Sequence, residues 1–110
     1  MSYIPEKGDV VLLNFDPSAG QEIMKRRPAF VISRKQFNEH TGFAIVAPIT
    51  SAQRGMRLEV VLPKTLSTQG AVLIHQMRSL DFNAREIELI ESAPQEVIDQ
   101  VSKLTSIIIS

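Results

Sequence analysis

Gly8-Asp9-Val10-Val11-Leu12-Leu13-Asn14-Phe15 is a short run of β-branched and aliphatic residues closed by Asp16-Pro17-Ser18. It reads as a strand that runs into a turn. Working outward, Pro28 to Ser33, Phe43 to Ile49, Arg57 to Leu62 and Ala71 to Arg78 have the same character. Pro63 to Gly70 supplies turn residues between the last two. Glu86-Ile87-Glu88-Leu89 alternates polar with apolar, the period of a half-exposed strand. Lys35 to Gly42 is polar and ends in glycine, with room for one helical turn. The period then changes. Val97, Ile98, Val101, Leu104, Thr105 and Ile108 form the stripe of an amphipathic helix, and Ser92 with Gln95 has the spacing of a capping box. Pro94 is tolerated in a first turn, where its missing amide proton has no helical partner. Strands followed by one terminal helix predict an α+β arrangement, a small, mostly antiparallel sheet or partial barrel covered by helix.

The chain has 110 residues, 44% hydrophobic and 22% charged. That is the composition of an ordinary globular protein and the size of one domain, residues 1–110, given that domains usually run to about 100 to 150 residues. It contains no cysteine, which excludes a disulfide framework, a thiolate zinc site and a thiol nucleophile. Neither a secretion signal nor a run of apolar residues long enough to span a membrane is found, so a cytoplasmic protein is expected. The net charge of zero conceals a split. Residues 16–57 carry seven cations against three carboxylates, and residues 84–103 carry two against five. A basic side and an acidic side follow.

Two histidines 35 residues apart, with no close acidic pair of calcium-loop type, leave nothing spaced as a metal site. No glycine-rich phosphate loop and no nucleophile elbow is present. Neither metal nor cofactor is therefore expected, and any chemistry must be built from Arg, His, Glu, Thr and Ser. Three segments offer such groups. Gly20-Gln21-Glu22-Ile23-Met24-Lys25-Arg26-Arg27-Pro28 puts three consecutive cations at the mouth of a strand, just after a carboxylate. A guanidinium presents a planar fork of donors suited to phosphate oxygens. Ala47-Pro48-Ile49-Thr50-Ser51-Ala52-Gln53-Arg54 closes an apolar strand with two hydroxyls, an amide and a cation. On a continuous strand, Leu73-Ile74-His75-Gln76-Met77-Arg78-Ser79 would hold His75, Met77 and Ser79 on one face. Histidine titrates near neutrality and suits proton transfer from a ribose hydroxyl, although a lone strand histidine is also a common structural residue.

Taken together, Gly8-Asp9-Val10, Phe15-Asp16-Pro17, Gly20-x-Glu22, Arg27-Pro28-Ala29-x-Val31-Ile32-Ser33, Val46-Ala47-Pro48-Ile49-Thr50 and Gln76-x-Arg78-Ser79-x-Asp81 resemble the MazF/PemK family of toxin endoribonucleases. The resemblance extends over nearly the whole chain. It implies a small SH3-like, partly open antiparallel β-barrel with a C-terminal helix, a homodimer, and metal-independent cleavage of single-stranded RNA to 2′,3′-cyclic phosphate and 5′-hydroxyl ends. It also implies a cognate antitoxin with a flexible acidic tail that occupies the RNA groove. The family's Arg-Pro arginine falls on Arg27, its threonine on Thr50 and its loop acid on Glu22. Ile23 and Met24 make this loop more apolar than in many members. His75 stands where members often carry a carboxylate, so its role as a base is a chemical inference.

The cleavage that the resemblance implies needs a base for the 2′-hydroxyl, cationic stabilisation of the transition state and an acid for the leaving oxygen. Arg27, aided by Thr50, takes the stabilising role. The base is His75 or Glu22, and the acid is Arg27 or His75. Lys25, Arg26, Ser51, Gln53, Arg54, Arg57, Gln76 and Arg78 are the candidate RNA-binding residues, with cations tracking the backbone and amides reading base edges. Aromatic residues are only 5% of the chain, so readout should rest on hydrogen bonds more than on stacking. Two other readings are a gyrase-binding toxin of the related CcdB type, which would be expected to carry a tryptophan near its end, absent here, and a non-catalytic RNA-binding module.

Overall fold

The computed structural model describes residues 3–51 and 58–110. The elements run β1 (Asp9–Asn14), β2 (Arg26–Val31), α1 (Lys35–Thr41), β3 (Phe43–Thr50), β4 (Glu59–Val61), β5 (Ala71–Leu73), a 3-10 turn at Ile74–Gln76, β6 (Arg78–Asp81), β7 (Glu88–Ser92) and α2 (Gln95–Ile109). The seven strands form an antiparallel, barrel-like sheet in the order β4-β5-β3-β2-β1-β7, with β6 also paired to β3. This is the predicted α+β arrangement.

The apolar runs are nearly continuous because the central strands are buried on both faces. Val10, Phe30, Ala47 and Ile49 point into one cluster, which Val97 and Val101 of α2 help to close. Their strand neighbours Val11, Leu13, Ala29, Val31, Ala44 and Val46 point into the other, with Phe15, Leu80 and Phe82. The parity is strict along β1, β2 and β3, so the face on which any side chain lies follows from its number.

β3 organises the sheet. On one edge it pairs with β2, as Ala29 with Pro48 and Val31 with Val46. On the other it pairs first with β6 (Val46 with Arg78) and then with β5 (Ile49 with Val72). Between those two ladders the register jumps by three residues, the length of the turn Ile74–Gln76. The amide and carbonyl of Ile45 face the β2 side, bonded to Ser33 Oγ and to the amides of Ile32 and Ser33. By alternation, residue 48 faces β5 and β6. Pro48 has no N–H to give there, and a proline inside a sheet is accommodated at such an irregularity. The turn closes on itself instead, with Met77 N–H donating to Ile74 O.

The break corrects the expected continuous strand from Ala71 to Arg78. His75 lies in the turn and is exposed, and does not share a strand face with Met77 and Ser79. The last strand begins at Glu88, because Glu86 takes a left-handed backbone (φ 57°). The expected capping box does not form. Pro94 is the N-cap of α2 without a side-chain cap, Ser92 Oγ reaches Asp9 Oδ1 at 3.4 Å, and Gln95 Nε2 donates to Asp99 Oδ1. Lys35–Thr41 makes a longer helix than the single turn expected, ended by Gly42 in the left-handed conformation.

The segment before β5 is secured at two points. Glu91 on β7 accepts hydrogen bonds from the amides of Ser67 and Thr68 and from Thr68 Oγ1. Gly70, at φ +123°, passes so close to the end of β3 that a Cβ there would stand 2.1 Å from the Thr50 carbonyl oxygen. Gly42 is also left-handed (φ +76°), but nothing lies within 4 Å of its Cβ position. Gly70→Ala is therefore expected to lower stability by about 1 to 3 kcal/mol, whereas Gly42→Ala loses at most about 1 kcal/mol. Urea unfolding checks the order, and equal losses would contradict the close approach.

Partial burial pushes the Glu91 carboxyl up, and the hydrogen bonds from Ser67 and Thr68 outweigh it, leaving the group below its usual range. A group lowered in the folded state stabilises above its unfolded pKa, and the gain disappears as pH falls through the folded one. The stability gap between wild type and Glu91→Gln should therefore be present at neutral pH and close on acidification. A gap that persists at low pH in denaturation curves would show that the charge is not what holds the loop.

Candidate active site

Residues 15–25, between β1 and β2, form a loop closed by its own polar groups. Phe15 N–H donates to Lys25 O, and Asp16 Oδ1 accepts from Lys25 N at 2.9 Å. Ser18 Oγ lies 2.8 Å from Phe15 O and 2.7 Å from Ile23 O. Glu22 Oε1 accepts from Ala19 N at 2.7 Å. Asp and Ser at turn positions bond to nearby backbone in this way because their short side chains reach it without strain. Arg78 and Arg85 tie the loop's base to the body, Arg78 through Phe15 O at 3.3 Å and Arg85 through the carbonyls of Asn14 and Asp16. The far half is tied by Ile23, whose amide donates to Gln76 Oε1 at 2.9 Å and whose side chain packs against the cluster around Phe15.

Loop and turn enclose a cavity of about 150 Å³ lined by Phe15, Glu22, Ile23, Pro48, His75, Gln76, Met77 and Arg78. Four candidates from the sequence, Glu22, His75, Gln76 and Arg78, thus meet in one place although they come from two distant segments. Arg27 and Thr50 do not line it. They lie beside it on the same face of the sheet as Ala29 and Val46. The β2–β3 register, continued two residues past its last bonded pair, brings Arg27 level with Thr50. Arg27 is exposed, and its Nε donates to Met24 O at 2.8 Å, leaving the terminal Nη fork outside that bond. Thr50 is 6% exposed at the edge paired to Ala71.

The remaining candidates are distributed differently. Arg26 lies on the opposite face of β2 from Arg27 and bonds to Glu86 O at 2.6 Å and to the Glu88 carboxylate at 3.0 Å. One cation of the basic segment is therefore spent on the acidic one. Lys25 is exposed in a left-handed conformation (φ 68°), and Ser51 is exposed at the end of β3. Gln53, Arg54 and Arg57 lie outside the described residues. Among the described residues no three His, Asp or Glu side chains come together as metal ligands, and no helix is long and apolar enough to cross a membrane.

Sequence reasoning missed Phe15, Asp16, Ser18 and Pro48 as parts of the site. Their signals were present: Asp-Pro-Ser turn chemistry at the mouth of a strand, and a proline inside an apolar strand.

The arrangement can hold a phosphate against guanidinium donors, with an imidazole and a carboxylate within one cavity's width for proton transfer. The model for the PemK-like, MazF-like toxins of type II toxin–antitoxin systems matches residues 6–109. The chain is similar to the endoribonuclease toxin MazF of Escherichia coli (strain K12), 36% identical over 83 residues, or 76% of this chain and 74% of that protein. Its backbone superposes on the crystal structure of MazF from Deinococcus radiodurans with a TM-score of 0.92, at 39% identity over 97% of each chain. A MazE–MazF crystal structure from the same organism matches at 0.86 and 35% identity, over 99% of this chain and 98% of that one. The family match spans both strands that carry the cations and the turn that carries His75, and with it the chain belongs to the PemK-like, MazF-like toxins of type II toxin–antitoxin systems.

Proposed function

We propose that this toxin endoribonuclease cleaves single-stranded RNA by attack of a ribose 2′-hydroxyl on the adjacent phosphate, without a metal ion, leaving a 2′,3′-cyclic phosphate and a 5′-hydroxyl. The observation that carries the reading is the meeting of Glu22, His75 and Arg78 in one cavity beside the Arg27–Thr50 edge. The three functions that the reaction needs are present within that small region. Arg27, with Thr50, stabilises the charge that develops on phosphorus. His75, exposed on the turn, or Glu22, whose Oε1 accepts from the Ala19 amide while Oε2 lies outside that bond, takes the 2′-hydroxyl proton. Arg27 or His75 protonates the leaving oxygen. Lys25, Ser51 and Arg78 serve the RNA path, which Gln53, Arg54 and Arg57 would extend. Arg26 belongs to this path only if RNA displaces its bonds to Glu86 and Glu88.

On this reading residues 1–110 act as one toxin domain in the cytoplasm, where the RNA lies. The partner is an antitoxin, as in the MazE–MazF structures, whose flexible acidic tail occupies the same basic path. The toxin works as a homodimer, an assembly that would cover apolar surface such as Val61, 54% exposed, and Ile107 and Ile109, 61% and 76% exposed.

Arg27→Ala is expected to slow cleavage about a hundred- to a thousandfold while the protein stays folded. The assay is single-turnover cleavage of a long RNA in excess chelator. Near-normal cleavage by the folded variant would remove Arg27 from the site, and wild-type activity restored only by added metal would sink the metal-free mechanism.

The identity of the base is decided by pH. Only neutral imidazole accepts a proton, so with His75 as the base cleavage should have a limb that rises with pH, and that limb should vanish in His75→Gln. If the limb survives in His75→Gln and disappears in Glu22→Gln, the carboxylate is the base.

A further inference from the structure

Residues 19–24 are bonded in a particular pattern. Ala19 and Glu22 bond to one another, and Ser18 Oγ holds Ile23 O. Outside the loop, among the described residues, the hydrogen bonds of this half run to two places only. Ile23 N–H donates to Gln76 Oε1 at 2.9 Å, and Met24 O accepts from Arg27 Nε at 2.8 Å. Consecutive residues are therefore attached to two sides of the candidate active site, one to the residue after His75 and the next to Arg27. We propose that Gln76 is a positioning residue: by accepting the Ile23 amide it holds the Ile23–Met24 dipeptide as a strut that fixes Arg27 relative to His75. The inference rests on the RNA-cleaving role of those two residues.

The geometry accounts for why an amide serves at position 76. The 3-10 turn, extruded where the β3 ladder fails, presents Gln76 half-buried at the cavity wall, directly beneath the loop. Its carbonyl oxygen accepts the Ile23 amide, and its two N–H donors lie outside that bond. RNA that binds Arg27 through its Nη fork can leave the Nε–Met24 bond in place, and the loop then reports the position of the turn to the guanidinium. Without the latch, Ile23 keeps only its apolar contact with the cluster around Phe15, which resists sliding poorly because it has no direction.

Two variants test this. Gln76→Leu keeps the approximate size and removes the acceptor; Gln76→Glu keeps an acceptor and removes the donors. Amide hydrogen exchange on the free protein should show Ile23 exchanging about three- to tenfold faster in Gln76→Leu, as expected for loss of one hydrogen bond, and unchanged in Gln76→Glu. Amides of β2 and β3 should be unaffected in both, which establishes that the fold is retained. Single-turnover cleavage should then fall by a similar factor in kcat for Gln76→Leu, with KM little changed, and kcat should recover in Gln76→Glu. Unaltered Ile23 exchange in Gln76→Leu overturns the latch. Faster exchange with a loss confined to KM overturns the positioning role and makes Gln76 an RNA contact. A wild type that cleaves no RNA overturns the reaction and not the latch, which the exchange rates decide by themselves.

Discussion

Pro48 lacks a backbone donor on the edge of β3 that faces β5 and β6, and much of the site depends on that gap. A regular ladder there would make residues 71–81 one strand, with His75 and Gln76 held flat in the sheet. The three residues Ile74–Gln76 leave the ladder instead and close a turn through the Met77 amide. The register shift of three is the measure of what is expelled. An exposed imidazole and a half-buried amide are thus placed beside a sheet whose central strands are packed on both faces. The surrounding β3 residues Ala44, Val46, Ala47 and Ile49 are all buried, so the strand cannot shift to relieve the mismatch without disturbing both clusters.

The second element is the loop from Phe15 to Lys25, which stays near the body because several of its polar groups bond within it and others bond to Arg78, Arg85 and Gln76. Asp16, Ser18 and Glu22 each take a loop partner, and Gln76 and Arg27 take the two that remain at Ile23 and Met24. The cost of ordering such a segment is offset by these bonds and by the contact of Ile23 with the Phe15 cluster. Its two neighbouring arginines are separated by the strand's alternation. Arg26 turns to Glu86 and Glu88, while Arg27 stays on the face of the cavity. Adjacent residues of identical chemistry are assigned different work by a period of two.

The charge split of the sequence also takes on a more specific meaning. Part of the acidic segment does not form a free negative surface. Glu88 and Glu86 neutralise Arg26, and Glu91 caps the amides before β5. Arg27, Lys25 and Arg78 are the cations on or next to the cavity, while Arg34 and Lys35 are exposed elsewhere, near α2.

The sequence alone determined the strands β1 to β3 and the terminal helix, because burial on both sheet faces, or on one helix stripe, leaves its period directly in the order of residues. It also supplied every titratable group of the cavity, and its motifs supplied the family. What only the tertiary structure decided were the partners. Ser92 and Gln95 have the spacing of a cap, yet the pairing of β1 with β7 brings Asp9 to the Ser92 hydroxyl, and Gln95 bonds within its own helix to Asp99. His75 has a strand-like neighbourhood, yet it is displaced by a proline 27 residues earlier that becomes its neighbour only when β3 and β5 pair. Periodicity is a property of consecutive residues and can be read along the chain; a hydrogen bond goes to whichever group the fold brings near, and that choice is made in three dimensions.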